Sequence, residues 1–202
     1  VERHVAELHA SLDSLCTITL VGHSLGALLA VAYAARHPNR VENLVLIGMP
    51  YFGSEAAAYR YLRSGKVKWG FLYTNMLLVM IACILTRRVF GWLLPYVRRD
   101  IPREVAEDLV KHTWRSSTSS LWEVVYRYDA ADELRELDGR TQILLIHGRD
   151  DDIAPFAAIK QLADEQPGCT LVALDGLDHH PFLRTPDTCL TRIHSLVSGD
   201  RP

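Results

Sequence analysis

Cys16-Thr17-Ile18-Thr19-Leu20-Val21-Gly22-His23-Ser24-Leu25-Gly26 leads directly into Ala27-Leu28-Leu29-Ala30-Val31-Ala32-Tyr33-Ala34-Ala35. The first six residues read as an apolar β-strand, and the alanine-rich run reads as a helix. Between them, Gly22-His23-Ser24-Leu25-Gly26 fits G-x-S-x-G, which in a strand–turn–helix context is a nucleophile elbow. The turn lifts a serine hydroxyl clear of the sheet on strained backbone. The flanking glycines are expected to let the helix pass close to the strand, where a Cβ would clash. The helix N-terminus points free N–H groups toward any anion formed beside Ser24.

The 202 residues suffice for one domain with a substantial core and an inserted subdomain. With 49% hydrophobic and 23% charged residues the chain reads as globular, and a net charge of -2 implies no general attraction to nucleic acid. Basic residues cluster locally, at Arg60, Arg63, Lys66 and Lys68 and again at Arg87, Arg88, Arg98 and Arg99. The four cysteines, Cys16, Cys83, Cys169 and Cys189, lack metal-site spacing and read as buried reduced thiols. Cytoplasm is the favoured compartment. The start without Met leaves an upstream targeting segment open.

Outward from the elbow, Val1, Val5, Leu8, Leu12 and Leu15 recur at helical spacing. Val41 to Ile47 (VENLVLI) reads as a strand buried on both faces. Thr141 to His147 and Cys169 to Leu174 read as further strands, each followed by a polar loop and a helix. This alternation predicts an α/β fold, a mostly parallel sheet flanked by helices. From Tyr51 to Gly139 no buried-strand signal appears. The expected division is therefore core at 1–50, a helical insertion at 51–139, and core again at 140–202.

A serine hydroxyl needs a base within hydrogen-bond reach, and the base needs a third group to fix its tautomer. In parallel sheets such groups sit on loops beyond the carboxyl ends of strands. Three loops qualify: Ser24, the cluster Asp150-Asp151-Asp152, and His179-His180. No cofactor is implied. His4, His9, His37, His112 and His194 fall on expected helices or their ends, so no metal site is expected.

With the elbow, the acid loop His147-Gly148-Arg149-Asp150-Asp151-Asp152-Ile153-Ala154-Pro155 and the loop His179-His180-Pro181-Phe182-Leu183-Arg184-Thr185-Pro186, the chain resembles an α/β-hydrolase-fold enzyme of the lipase/esterase type with a helical cap. The order Ser, Asp, His is the order of that family. The resemblance implies Asp151 as the acid, three residues after the loop glycine and four before the proline, with Asp152 as the alternative. It implies His179 as the base, seven residues before Pro186, with His180 as the alternative and then a residue of the pocket rim. His23 reads as a packing and hydrogen-bonding residue beside the substrate, and His147 as structural. The Leu25 backbone N–H would supply one oxyanion donor.

The implied reaction is acyl transfer to water from a small apolar ester-like substrate. The alternatives are a C–C bond hydrolase or acyltransferase with the same three residues, or a non-catalytic binding protein of the same fold. The family carries strands and a second oxyanion donor ahead of the elbow that have no counterpart in 1–202, so the fold is expected to be N-terminally incomplete and these residues alone unstable or poorly active.

Trp69 to Leu85 (WGFLYTNMLLVMIACIL) holds 17 residues without a charge. It reads as a buried cap helix lining an acyl pocket, as an interfacial membrane contact, or as a span slightly shorter than the ~20 residues required. Trp69, Met76 and Met80 are its candidate substrate contacts. Peripheral membrane contact through the cap is the further partner expected, and nucleic acid is not.

Overall fold

Val41–Ile47 shows how the chain builds its core. Its alternate residues Leu44 and Leu46 enter one apolar cluster, with Ala27, Leu28 and Tyr33, while Val45 and Ile47 enter another, with Leu144, Ile146 and Cys189. A strand covered on both faces cannot alternate apolar with polar, which is why this stretch reads as a nearly continuous apolar run. Each fully buried Leu, Ile or Val contributes roughly 1.5–3 kcal/mol relative to exposure.

A computed structural model describes residues 1–97, 102–108, 111, 113–137 and 139–199. Arg98, Arg99 and His112, named above, lie outside the described residues. The chain forms two compact units, residues 1–55 with 124–202, and residues 56–123.

In the first unit, β1 (Ile18–His23), β2 (Val41–Ile47), β3 (Gln142–Gly148) and β4 (Cys169–Leu174) make one parallel sheet in that order. Helices α1 (Glu2–Leu12), α2 (Leu25–Arg36) and α8 (Ala130–Glu136) contribute to the larger cluster, and α11 (Pro186–Ser198) to the smaller. Helices α9 (Phe156–Glu165) and α10 (Pro181–Arg184) complete this unit. Residues 124–139, expected within the helical insertion, lie in this unit. There Asp129 caps α8 by accepting from the Ala131 and Asp132 amides at 3.0 and 3.4 Å, and Ala130 and Leu134 are buried in the larger cluster.

Strand β1 begins two residues later than expected and runs to His23, whose partner in register is Ile47. Cys16 is therefore exposed outside the sheet. Cys83 and Cys169 are half-buried and only Cys189 is buried, so the reading of four buried thiols is corrected. Burial pushes the Cys169 thiol up to about 12.

The second unit carries α4 (Met76–Leu85), α5 (Leu94–Val97), α6 (Arg103–Asp108) and α7 (Trp114–Ser119), together with most of α3 (Glu55–Arg63). The apolar run is not one helix. A 3-10 turn at Gly70–Thr74 precedes α4, and Asn75 separates them by capping α4 through the Leu77 and Leu78 amides at 3.0 and 3.2 Å. Among the described residues no helix is long and apolar enough to cross a membrane. The serine-rich run at 116–120 is helical. Thr113 and Ser116 form a capping box at its start, and Thr118 Oγ1 donates to the Trp114 carbonyl at 2.9 Å.

Candidate active site

The site begins with a glycine. A Cβ on Gly22 would lie 2.4 Å from the Gly26 carbonyl oxygen and 2.7 Å from Ala27 Cα, so only glycine lets α2 start this close to β1. Gly26 differs from the expectation: a Cβ there would meet nothing within 4 Å. Ser24 caps α2 with φ 54° and ψ −123°, a conformation that L-residues occupy at a cost. Hydrogen bonds hold it there. Its amide donates to the Ile47 carbonyl at 2.9 Å, and its carbonyl accepts from the Ala27 amide at 2.9 Å. Leu25 opens the helix, where the first N–H groups have no helical acceptor.

Ser24 Oγ lies 2.8 Å from His179 Nε2, and His179 Nδ1 lies 2.8 Å from Asp151 Oδ2. A carboxylate only accepts, so Nδ1 carries the proton and Nε2 is left to accept from the serine hydroxyl. His179 and Asp151 are buried, while Ser24 is partly accessible. The other oxygen of Asp151, Oδ1, accepts from the Ile153 and Ala154 amides at 2.9 and 2.8 Å. Burial works against its charge, but hydrogen bonds from His147 and His179 outweigh that and hold its carboxyl well below the usual carboxylate range. The neighbouring Asp150 and Asp152 are exposed.

His147 takes a larger part than its structural reading allowed. It is 1% exposed, and its Nε2 lies 2.9 Å from the Ala154 carbonyl and 3.3 Å from Asp151 Oδ2. Both are acceptors, so Nε2 is protonated and Asp151 sits between two imidazole donors. The available sequence signal was position: a histidine at a strand end, four residues before the acid. Gly48 was also missed. Its φ is +54°, and a Cβ would come within 2.9 Å of the His179 carbonyl oxygen.

His23 and His180 also reach this site. His23 Nε2 donates to the His179 carbonyl at 2.9 Å, and the His180 ring centroid stands 5.2 Å from that of His179 and 5.3 Å from that of His23. Burial, then the two neighbouring imidazoles, push His180 below the usual histidine value. Gly148 lets the histidine loop pack on the acid loop, since a Cβ would meet the Leu177 carbonyl oxygen at 2.2 Å. Trp69, Met76 and Met80 belong to the second unit, the first two exposed and Met80 half-buried. Among the described residues no group of three or more His, Cys, Asp or Glu side chains could hold a metal ion.

A sequence profile of the alpha/beta hydrolase family matches residues 1–191. The chain belongs to the α/β-hydrolase family. The chain is 31% identical over 184 residues to a pimeloyl-[acyl-carrier protein] methyl ester esterase of Aromatoleum aromaticum, covering 88% of the chain and 73% of that relative. It is 32% identical over 160 residues to a 2-hydroxymuconate semialdehyde hydrolase of Pseudomonas putida, covering 75% of the chain and 52% of that relative. In fold the chain is similar to an esterase from Exiguobacterium antarcticum, with a TM-score of 0.68 at 19% identity, covering 96% of the chain and 71% of the esterase. The chain thus spans about half the length of one of these curated relatives and about three quarters of the other.

Proposed function

We propose that the chain is a serine hydrolase that cleaves an apolar carboxylic ester through an acyl-enzyme. The observation that carries this reading is the series Ser24 Oγ, His179, Asp151, with 2.8 Å at each link, at the head of α2. Ser24 attacks the ester carbonyl carbon as its proton passes to His179 Nε2. Asp151 keeps the imidazole in the productive tautomer and stabilises the imidazolium. The Leu25 N–H donates to the developing oxyanion. The tetrahedral intermediate collapses, and the alcohol leaves with the proton from His179. Water then gives a proton to His179 and attacks the acyl carbon, releasing the acid and restoring Ser24. His23 and His180 line the approach to the reacting carbonyl.

Apolarity of the substrate is proposed from the uncharged run 69–85 alone. A C–C bond hydrolase is the second reading, supported by the Pseudomonas putida relative. A fluorophosphonate probe tests the activated serine: labelling that disappears in Ser24→Ala is expected, and an unlabelled wild-type protein overturns the proposal. Nitrophenyl esters of rising chain length, set beside a vinylogous diketone, separate the two readings. Turnover of the diketone alone would transfer the assignment to C–C cleavage.

A further inference from the structure

Residues 56–97 hold six Lys or Arg and no Asp or Glu. In the same stretch, α4 is apolar all round: Met-Leu-Leu-Val-Met-Ile-Ala-Cys-Ile-Leu. A helix of that composition is stable only when apolar matter covers every side. One side is covered within the second unit, where α4 packs on α7, Val79 is buried and Cys83 Sγ donates to Ser117 Oγ at 3.4 Å. The other side is open. Leu77, Ile81 and Ile84 follow one another at i, i+4 and i+7, with exposures of 58%, 42% and 38%. The π turn Thr86–Phe90 continues from α4 and brings exposed Arg87 and Arg88 to its end, next to Phe90 and Trp92. Trp92, at 73%, is the most exposed large apolar side chain among the described residues. Exposed Lys66 and Lys68 stand before the run.

We propose that this face of the second unit docks in the plane of an anionic lipid surface. Helix α4 has 10 residues and is about 15 Å long at 1.5 Å per residue, half the ~30 Å of a hydrocarbon core, so it lies on the bilayer rather than through it. Tryptophan and other aromatics favour the headgroup boundary, where Trp92, Phe90 and Trp69 would anchor the face. Lys66, Lys68, Arg87 and Arg88 meet acidic headgroups at either end of the apolar stretch. A second copy of the chain fits the same face poorly. A twofold contact would oppose the cationic clusters to themselves with no carboxylate from this stretch between them.

The test is flotation of the 202-residue chain with vesicles of phosphatidylcholine alone or with about 30% phosphatidylserine. Binding to the mixed vesicles, falling as ionic strength rises from about 0.05 to about 0.5 M, is the expected result. Arg87→Glu with Arg88→Glu is expected to weaken partitioning about tenfold or more, and Trp92→Ala and Ile81→Ser to weaken it on both vesicle types. The arginines are exposed, so their reversal leaves folding intact, to be checked by an unchanged melting curve. Ser24→Ala is expected to bind like wild type, which separates this proposal from the fate of the hydrolase reading. Absence of binding to both vesicle types overturns it, as does binding that ignores the charge reversal. A concentration-dependent dimer abolished by Ile81→Ser would also overturn it, and assign the face to self-association.

Discussion

His147 Nε2 stands 3.3 Å from Asp151 Oδ2, the same oxygen that accepts from His179 Nδ1 at 2.8 Å. The acid is thereby held from two sides in a buried site, and its charge depends on both partners. His147→Leu removes one donor and is expected to destabilise the fold by about 1–3 kcal/mol at neutral pH. The sign follows from the depressed carboxyl of Asp151. A lowered folded value contributes stability that is full above the unfolded value of ~3.9 and lost as pH falls through the folded one. The gap between wild type and His147→Leu is therefore widest at neutral pH and narrows below the usual carboxylate range. Urea denaturation across that pH series measures it. His147→Gln, which keeps an N–H donor, is expected to recover part of the loss.

The carbonyl of His179 accepts from His23 Nε2 at 2.9 Å, which ties the base loop to the nucleophile turn. His23→Leu leaves that carbonyl without its donor and loosens the register between His179 and Ser24. Turnover is expected to fall about tenfold, the worth of one hydrogen bond of ~1.4 kcal/mol, with KM little changed. His23→Gln is expected to restore most of kcat. A loss in KM alone would instead mark His23 as a substrate contact.

Asp151 and its exposed neighbours make a sharp contrast. Asp151→Asn leaves His179 Nδ1 without a charged acceptor and favours the wrong tautomer, so kcat is expected to fall about 10⁴-fold. Asp150→Asn and Asp152→Asn are expected to stay within about twofold of wild type, the scale of an ordinary surface change. Equal losses at Asp151 and Asp152 would break the assignment. Steady-state hydrolysis of a short nitrophenyl ester is the measurement.

The two elbow glycines are expected to respond differently to the same substitution. Gly22→Ala forces a Cβ against backbone atoms of α2 at 2.4 and 2.7 Å, which neither strand nor helix can relieve by a rotamer change. A loss of about 1–3 kcal/mol is expected. Gly26→Ala meets open space and replaces a helical glycine by the best helix former, so stability is expected to hold or rise by up to about 1 kcal/mol. Thermal melts of the two variants check this.

The parallel sheet was readable because its strands are buried on both faces, which writes them as apolar runs such as Val41–Ile47. Helix α8 was missed because its seven residues, AADELRE, carry too few apolar positions to show a period. What makes them a helix is the Asp129 cap and burial of Ala130, Ala131 and Leu134. The run Trp69–Leu85 misled by composition alone. Its hydropathy says nothing about the break at Asn75, whose side chain competes for the amides of the next turn.

Strand–turn–helix patterning pointed to Ser24, and the family resemblance pointed to Asp151 and His179 with Asp152 and His180 as alternatives; the fold sets Ser24, His179 and Asp151 in one hydrogen-bonded series. The partnership of His147 with Asp151, the tie from His23 to the His179 carbonyl, and the crowding at Gly22 but not Gly26 came only with the fold. The tie from His23 joins residues 156 apart in the chain, whereas His147 and Asp151, like Gly22 and Gly26, are only four apart; there the turn between them decides which atoms meet, and residue types alone do not encode its path.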